Sequence, residues 1–213
     1  MTRAVHVVDF GVGNLLSVAR AITKVGGTPC LSSDPAEIAR ADRLMLPGVG
    51  AFGDGMAGLA RDGLDEAVRA FAATGRPLLG ICLGMQMLAS ESVEFGTHEG
   101  LGLVPGRVVP IPRQGTDGAP HKIPFIGWAD LEGVRPGGYR GTPLRSVAER
   151  QSVYLVHSFH VEPENDADLL AIYRYDGVPV TAAIARDNIF GCQFHPEKSG
   201  PVGLGIVGEF LAC

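Results

Sequence analysis

The feature that most constrains the fold is a cysteine held between two glycines, in the segment Pro77-Leu78-Leu79-Gly80-Ile81-Cys82-Leu83-Gly84. An apolar run ends there and a helix-forming segment follows at once. This is the spacing of a nucleophile elbow, in which a reactive side chain sits on a sharp turn between a strand and a helix. The glycines remove side chains for which such a turn has no room, and a helix N-terminus favours a thiolate.

A Gly-x-Cys-x-Gly motif alone also fits a small buried cysteine between two packing glycines. A second reactive group is needed, and the segment Phe194-His195-Pro196-Glu197 provides one. In an extended chain His195 and Glu197 point to the same side, where the carboxylate orients the imidazole and the imidazole activates a thiol. Cys82, His195 and Glu197 have the composition of a catalytic triad, although a lone histidine at a strand end is more often structural.

Apolar runs alternate with helical patterns through the first half of the chain. The predicted strands of this half lie at residues 4–8, 28–31, 43–46 and 77–81. This rhythm predicts a flavodoxin-like, doubly wound α/β fold, with a mostly parallel sheet flanked by helices. One of the helices, at 54–73, is expected to be kinked near Gly63.

The second half of the chain has a different pattern. Runs rich in β-branched and aromatic residues predict strands at 153–161, 169–175, 180–185 and 189–194. We expect these strands to be largely antiparallel and to extend or flank the parallel sheet. Because no linker or internal repeat interrupts the chain, residues 1–213 are expected to form a single domain.

Two glycine-rich turns follow predicted strands. Ligands bind beyond the carboxyl ends of the strands in doubly wound sheets, which places the loop at 47–50 beside Cys82. Its glycines would let a backbone N–H approach a developing oxyanion, although a plain turn fits equally well. The turn at 11–14 is more consistent with a structural turn than with a phosphate site, because the third glycine of the dinucleotide fingerprint and the P-loop lysine are missing.

Charge and cysteine usage exclude several classes of protein. A formal net charge of −5 without a basic cluster argues against a nucleic-acid partner. No apolar run reaches membrane-spanning length, and residues 1–9 lack the apolar core and cleavage site of a signal peptide. The four cysteines show no C-x-x-C spacing, so we expect no metal site, no disulfide and a cytoplasmic protein. No cofactor is expected.

Several segments, in order from about Val7 to the C-terminus, carry a family resemblance: VVDFGVGNLLSVARA, LPGVGAFGDGM, GICLGMQ, FIGWAD, VYLVHSF and GCQFHPEKSG. They resemble the class I, or triad, glutamine amidotransferases, and among these the glutaminase subunits of imidazole glycerol phosphate synthases of histidine biosynthesis. The resemblance implies that Cys82 attacks glutamine, that His195 protonates the departing ammonia, and that water hydrolyses the resulting thioester to glutamate.

The same resemblance implies roles for other residues. Those expected to hold the oxyanion are Gly48, Val49, Gly50 and the N–H of Leu83. Those expected to hold glutamine are Gln86 and the backbone of Ser158 and Phe159.

A partner is also implied, namely a separate cyclase subunit with a (β/α)8 barrel that forms a heterodimer with this chain and receives the ammonia. Lys198 and Trp128 are expected at that interface. The family segment commonly reads P-H-x-G-W-N. Phe125 and Ala129 replace its histidine and asparagine, near the presumed partner face.

Three other interpretations remain open at this stage. Another amidotransferase subunit, such as that of anthranilate synthase, would share the triad and differ in the partner it complements. A stand-alone γ-glutamyl hydrolase or cysteine peptidase of the same fold would turn over without a partner. A flavodoxin-like nucleotide-binding module would bind FMN or a nucleotide through the turn at 11–14.

Overall fold

Alternating strands and helices make up residues 4–213, the part of the chain that the structure, a computed structural model, describes. The strands are β1 (Ala4–Val8), β2 (Thr28–Ser32), β3 (Leu44–Gly48), β4 (Leu78–Cys82), β5 (Ala89–Ser92), β6 (His98–Glu99), β7 (Val104–Pro110), β8 (Phe125–Asp130), β9 (Glu132–Gly133), β10 (Ser152–His157), β11 (Phe159–Pro163), β12 (Leu169–Tyr175), β13 (Val178–Arg186) and β14 (Ile189–Cys192). The helices are α1 (Leu15–Lys24), α2 (Pro35–Arg40), α3 (Phe52–Arg61), α4 (Leu64–Ala72), α5 (Leu83–Met87) and α6 (Gly200–Phe210). The expectation about a signal peptide falls partly on residues 1–3, which lie outside the described residues.

The main sheet has eight strands in the order β2-β1-β3-β4-β14-β13-β12-β9. Its first five strands are parallel. The other three continue the sheet in antiparallel pairing. The predicted doubly wound, mostly parallel α/β sheet with antiparallel strands from the C-terminal half is therefore confirmed.

Both faces of the central parallel strands β3, β4 and β14 are buried, which is why these strands read as continuous apolar runs rather than as alternating patterns. Val7 and Met45 face a cluster formed with α1 and α6. Their neighbours Val8 and Leu46 face a second cluster formed with α2, α3 and α4. Helices therefore cover the sheet on both sides, as the crossover connections of a doubly wound fold require.

The helix predicted at 54–73 is two helices, so the predicted kink is a complete break. Gly63 lies between α3 and α4 with a φ of 68°, a left-handed conformation that ends the first helix. Such a conformation is strained for residues with a side chain and free for glycine.

The single strand predicted over 153–161 is wrong. β10 pairs with β8 in a two-stranded sheet, whereas β11 pairs with β7 in a second sheet of order β11-β7-β5-β6. Ser158 lies between them, and its carbonyl accepts a hydrogen bond from Ile111 N–H. The apolar pattern continues through this break because both strands are half buried, so only the tertiary pairing reveals it.

Three neighbouring strands of the main sheet end at one edge. β3 ends at Gly48, β4 ends at Cys82, and the chain leaving β14 continues to His195. This edge of the sheet therefore brings together Gly48, Cys82 and His195, three of the site residues predicted from the sequence. Among the described residues, no helix combines the length and apolar character needed to span a membrane.

Candidate active site

Cys82 occupies a strained turn between β4 and α5. Its φ of 55° and ψ of −112° lie outside the conformations that residues with a side chain ordinarily adopt. Such strain persists only where the surrounding structure imposes it, and it is typical of functional sites. A cysteine that merely filled space between glycines would not need this backbone.

The two glycines of the motif are required by close backbone contacts. A Cβ on Gly84 would lie 1.7 Å from the carbonyl oxygen of Leu46, which belongs to the neighbouring strand β3. A Cβ on Gly80 would lie 2.8 Å from backbone atoms of Gly84. The turn carrying Cys82 is therefore pressed against the sheet from which it emerges.

His195 is 2% exposed and is held by hydrogen bonds at both ends of the residue. Its N–H donates to Tyr154 O (2.9 Å), and its carbonyl accepts from Ser199 Oγ (2.7 Å). Its Nδ1 lies 2.8 Å from Oε1 of Glu197. The chain here is a 3₁₀ turn over Pro196–Lys198, not the extended segment that the sequence predicted, and the turn still brings the carboxylate to the imidazole.

The environment of His195 favours its charged form. Burial by itself lowers the pKa of the imidazole, but the opposing interactions with Cys82 and with the Glu197 carboxylate outweigh it and raise the pKa to about 9. Nε2 is buried and has no hydrogen bond of ordinary geometry with any described residue, so the contact with Cys82 is electrostatic in this resting arrangement. Catalytic hydrogen bonds are often long or misaligned before substrate binds.

A cavity of about 290 Å³ opens over Cys82 and His195. This is near the lower end of the range for small-molecule sites, roughly 300 Å³, and suits a ligand no larger than an amino acid. The other lining residues are Val49, Gly50, Leu83, Gln86, Glu94, Pro124, Val156, His157, Ser158 and Phe159.

Most residues expected around Cys82 do line this cavity, including Val49, Gly50 and Leu83. Gly48 instead lies behind it at the end of β3, where a Cβ would be 3.2 Å from Leu83 Cβ. Gly50 has a φ of 105°, and a Cβ added there would meet no described atom within 4 Å. Its backbone conformation, and not lack of space, therefore requires glycine.

The substrate-side residues form one hydrogen-bond network. Phe159 O accepts from Gln86 Nε2 (2.9 Å) and from His157 Nδ1 (2.8 Å). His157 Nε2 in turn lies 2.9 Å from the hydroxyl of Tyr173. Burial lowers the pKa of His157 to about 3, so this imidazole is neutral and accepts the Tyr173 proton. The segment at Ser158 and Phe159 is thereby fixed against the cavity.

Three residues of the site were missed by the sequence analysis. Glu94 lines the cavity, and its Oε2 accepts from Phe52 N–H at the start of α3 (2.7 Å). His157 also lines the cavity, and Gln193 donates toward Cys82 Sγ at 3.8 Å. The position of Gln193 two residues before His195 was a usable signal, whereas nothing local in the sequence connects Glu94 or His157 with Cys82.

The two residues expected at a partner interface, Trp128 and Lys198, lie close together on an exposed face. Trp128 on β8 is 56% exposed, and its ring lies 6.0 Å from that of Tyr154. Lys198 Nζ also lies 6.0 Å from the centroid of the Tyr154 ring. Phe125 and Ala129 are partly buried against the core, on the opposite side of β8 from Trp128. The expectation that these two replacements lie near the partner face stays a prediction.

The turn at 11–14 is closed by a hydrogen bond from Gly11 N–H to Oδ1 of Asp9 (3.1 Å). A backbone donor that a phosphate would need is thus already used within the turn. This contact supports the structural interpretation of the turn.

The chain is similar to several known proteins. Residues 6–210 match the family model described as glutamine amidotransferase class-I. The chain is 53% identical over 209 residues to the imidazole glycerol phosphate synthase subunit HisH 1 of Legionella pneumophila (strain Lens), covering 98% of each protein. It is 46% identical over 207 residues to subunit HisH of Geobacillus thermodenitrificans, covering 97% of this chain and 94% of the relative. Its fold is similar to that of a chain of PurLQS from Thermotoga maritima, with a TM-score of 0.74 and 21% identity over 100% of this chain and 99% of that one.

Proposed function

The chain belongs to the class-I glutamine amidotransferase family, and from this premise we propose that it is the glutaminase subunit of an imidazole glycerol phosphate synthase. It hydrolyses glutamine and delivers the ammonia to a cyclase subunit. The observation that carries the proposal is the strained Cys82 facing the same cavity as His195, whose Nδ1 is paired with Glu197 at 2.8 Å. The identity to HisH subunits supports the choice of synthase.

The chemistry begins when the Cys82 thiolate attacks the carboxamide carbon of glutamine. Backbone N–H groups at Val49, Gly50 and Leu83, which line the cavity, are suited to stabilise the oxyanion that forms. Collapse of the intermediate breaks the C–N bond, and the His195 imidazolium gives its proton to the departing amine, which leaves as ammonia. The product is a glutamyl thioester.

Hydrolysis of the thioester restores the resting enzyme. His195, now neutral, takes a proton from water as the water oxygen attacks the thioester carbon. The C–S bond breaks, glutamate leaves, and the thiolate and imidazolium are regenerated. Glu197 stays out of bond making: its carboxylate orients the imidazole and stabilises the imidazolium.

The cavity also has groups for the amino-acid end of glutamine. Gln86 uses its amide N–H groups within the protein, which leaves its carbonyl oxygen available to accept from an α-ammonium. Glu94 contributes a carboxylate on the same lining, held in place by Phe52 N–H. Backbone polar groups of Ser158 and Phe159 complete this end of the site. These contacts favour a zwitterionic amino acid over a peptide.

Ammonia released into water would be protonated and lose its nucleophilicity, so a partner must cover the site. We propose that the partner is a cyclase subunit with a (β/α)8 barrel. We expect it to bind the face formed by Trp128, Tyr154 and Lys198. In this heterodimer the chain is one subunit. The family match over residues 6–210 supports a single domain for that subunit. Four free cysteines are compatible with work in the reducing cytoplasm.

The test replaces Cys82 with serine and supplies the complex with either glutamine or an ammonium salt at raised pH. With glutamine, synthase turnover is expected to fall by roughly a thousandfold or more, because a hydroxyl at this site is a far weaker nucleophile than a thiolate. With ammonium, the mutant complex is expected to match the wild type. Near-normal use of glutamine by Cys82→Ser contradicts the nucleophile assignment, and failure of the wild type to activate a cyclase contradicts the choice of synthase.

A further inference from the structure

Gln193 is a fully buried polar side chain beside Cys82 that the mechanism above does not use. β14 runs parallel to β4 with Cys192 opposite Ile81, so the next residue of each strand brings Gln193 next to Cys82. The backbone N–H of Gln193 donates to Ala182 O (2.9 Å), which fixes this position from the neighbouring strand β13. Buried polar groups in folded proteins are hydrogen-bonded, so the partners of this carboxamide indicate its purpose.

The orientation of the carboxamide follows from the network around it. The carbonyl of Phe159 can only accept, so Gln86 must present its NH2 group there (2.9 Å). The same NH2 group lies 3.1 Å from Gln193, which must therefore present its oxygen to Gln86. Gln193 consequently turns its own NH2 group toward Sγ of Cys82, at 3.8 Å. One carbonyl thus decides the direction of two amides.

The sulfur needs such a donor. Cys82 is 8% exposed, so few water molecules can solvate a thiolate there. The carbonyl of Val156 lies 4.0 Å from the sulfur and repels negative charge when the thiol proton is lost. His195 Nε2 makes no hydrogen bond of ordinary geometry to the described part of the chain in the resting site. The Gln193 amide, in contrast, points an N–H at the sulfur through a hydrogen bond.

We infer that Gln193 is a positioning residue for Cys82, holding the sulfur in place and stabilising its negative charge both before attack and when the thioester is cleaved. The inference rests on the proposed glutaminase function. In the second half of the reaction the C–S bond breaks and sulfur regains its charge, so a fixed donor helps it leave. Because an amide does not titrate, this help is independent of pH.

Other charged or titratable groups share the cavity with the sulfur. His195 follows β14 and gains charge stabilisation from Glu197. His157, at the end of β10, stays neutral. Glu94, on the loop after β5, is negative and works against a thiolate. Without the Gln193 donor, His195 would be the main group that stabilises the Cys82 thiolate against repulsion by Glu94. Because the two groups interact, a measured midpoint of Cys82 reactivity belongs to the Cys82–His195 pair.

The test measures the rate at which iodoacetamide alkylates Cys82 in the full-length chain between pH 5 and pH 10, read by mass spectrometry of the Cys82 peptide. Gln193→Met keeps the length of the side chain and removes the donor. In this variant the midpoint of the alkylation rate against pH is expected to rise by about one pH unit. This is the shift expected when a charged group loses one hydrogen bond. Thr181→Val is the matched control, because it removes a buried polar atom from β13 outside the cavity lining, and its midpoint is expected to stay at the wild-type value.

A second variant covers a failure of Gln193→Met to fold. Gln193→Glu still accepts from Gln86 but offers the sulfur a carboxylate, and its midpoint is expected to rise by more than one pH unit. A folded variant whose midpoint stays at the wild-type value while turnover falls overturns the inference, since a merely structural role lowers turnover without moving the titration. Alkylation needs neither glutamine nor a partner, so failure of the proposed function appears separately, as a wild type inactive on glutamine.

Discussion

Adding a single methyl group at Gly84 tests whether the elbow depends on close backbone packing. In Gly84→Ala the Cβ would lie 1.7 Å from Leu46 O, whereas real contacts of this kind are no shorter than 3.0 Å. α5 and β3 must therefore separate by at least 1.3 Å, the difference between these two distances. Both sides of the contact are core, because Leu46, Leu83 and Met85 are buried. We expect the free energy of unfolding to fall by about 3 kcal/mol or more.

Activity should fall as well, because Cys82 moves with the start of α5. A displacement of about 1 Å at a reacting group costs roughly a hundredfold in rate. Gly80→Ala, with its smallest backbone distance at 2.8 Å, should lose less stability than Gly84→Ala. Gly26→Ala is the control: its φ of 83° carries a strain of about 1 kcal/mol, no described atom lies within 4 Å of the added methyl, and turnover should be unchanged.

The assays are urea unfolding followed by circular dichroism, and glutamine turnover in the synthase complex with ammonium as the alternative nitrogen source. Activity with ammonium shows that a mutant subunit still binds its partner. If Gly84→Ala unfolds with the same free energy as Gly26→Ala and keeps wild-type turnover, the steric account of the motif is refuted.

Two further predictions concern the histidines. His195→Ala should lower glutamine turnover about as much as Cys82→Ser, because it removes base and acid together. Glu197→Gln should lower turnover less, since Glu197 orients the imidazole and stays out of bond making. Equal, small losses in kcat would mean that the pair is structural. The folded-state pKa of His157, about 3, lies below its ordinary value of 6.5, so its contribution to stability is present above pH 6.5 and is lost as the pH falls toward 3. Near pH 4.5 that loss is roughly 3 kcal/mol. In urea unfolding, the free energy of unfolding of His157→Gln should therefore fall less between pH 7 and pH 4.5 than that of the wild type. The same fall in both proteins would contradict the lowered pKa of His157.

Local sequence patterns determined the order of elements and the position of the site. β1 and β12 have the predicted bounds, and each apolar run is followed directly by a turn-forming residue, Asp9 or Asp176. The glycines around Cys82 predicted a turn too tight for side chains. The spacing of His195 and Glu197 predicted their contact, although a 3₁₀ turn and not an extended strand produces it. Each of these depends on residues close together in the chain.

Only the tertiary structure decided the contacts that make the site specific. The break at Ser158 is set by two different pairing partners, β8 and β7, which no local pattern encodes. Glu94 reaches the cavity because the start of α3 holds it there. The direction of the Gln193 carboxamide depends on a carbonyl far away in the chain, that of Phe159. Propensity and periodicity report on neighbours along the chain, whereas the partner of a buried polar group is chosen by the packing of distant segments that leaves each donor with an acceptor.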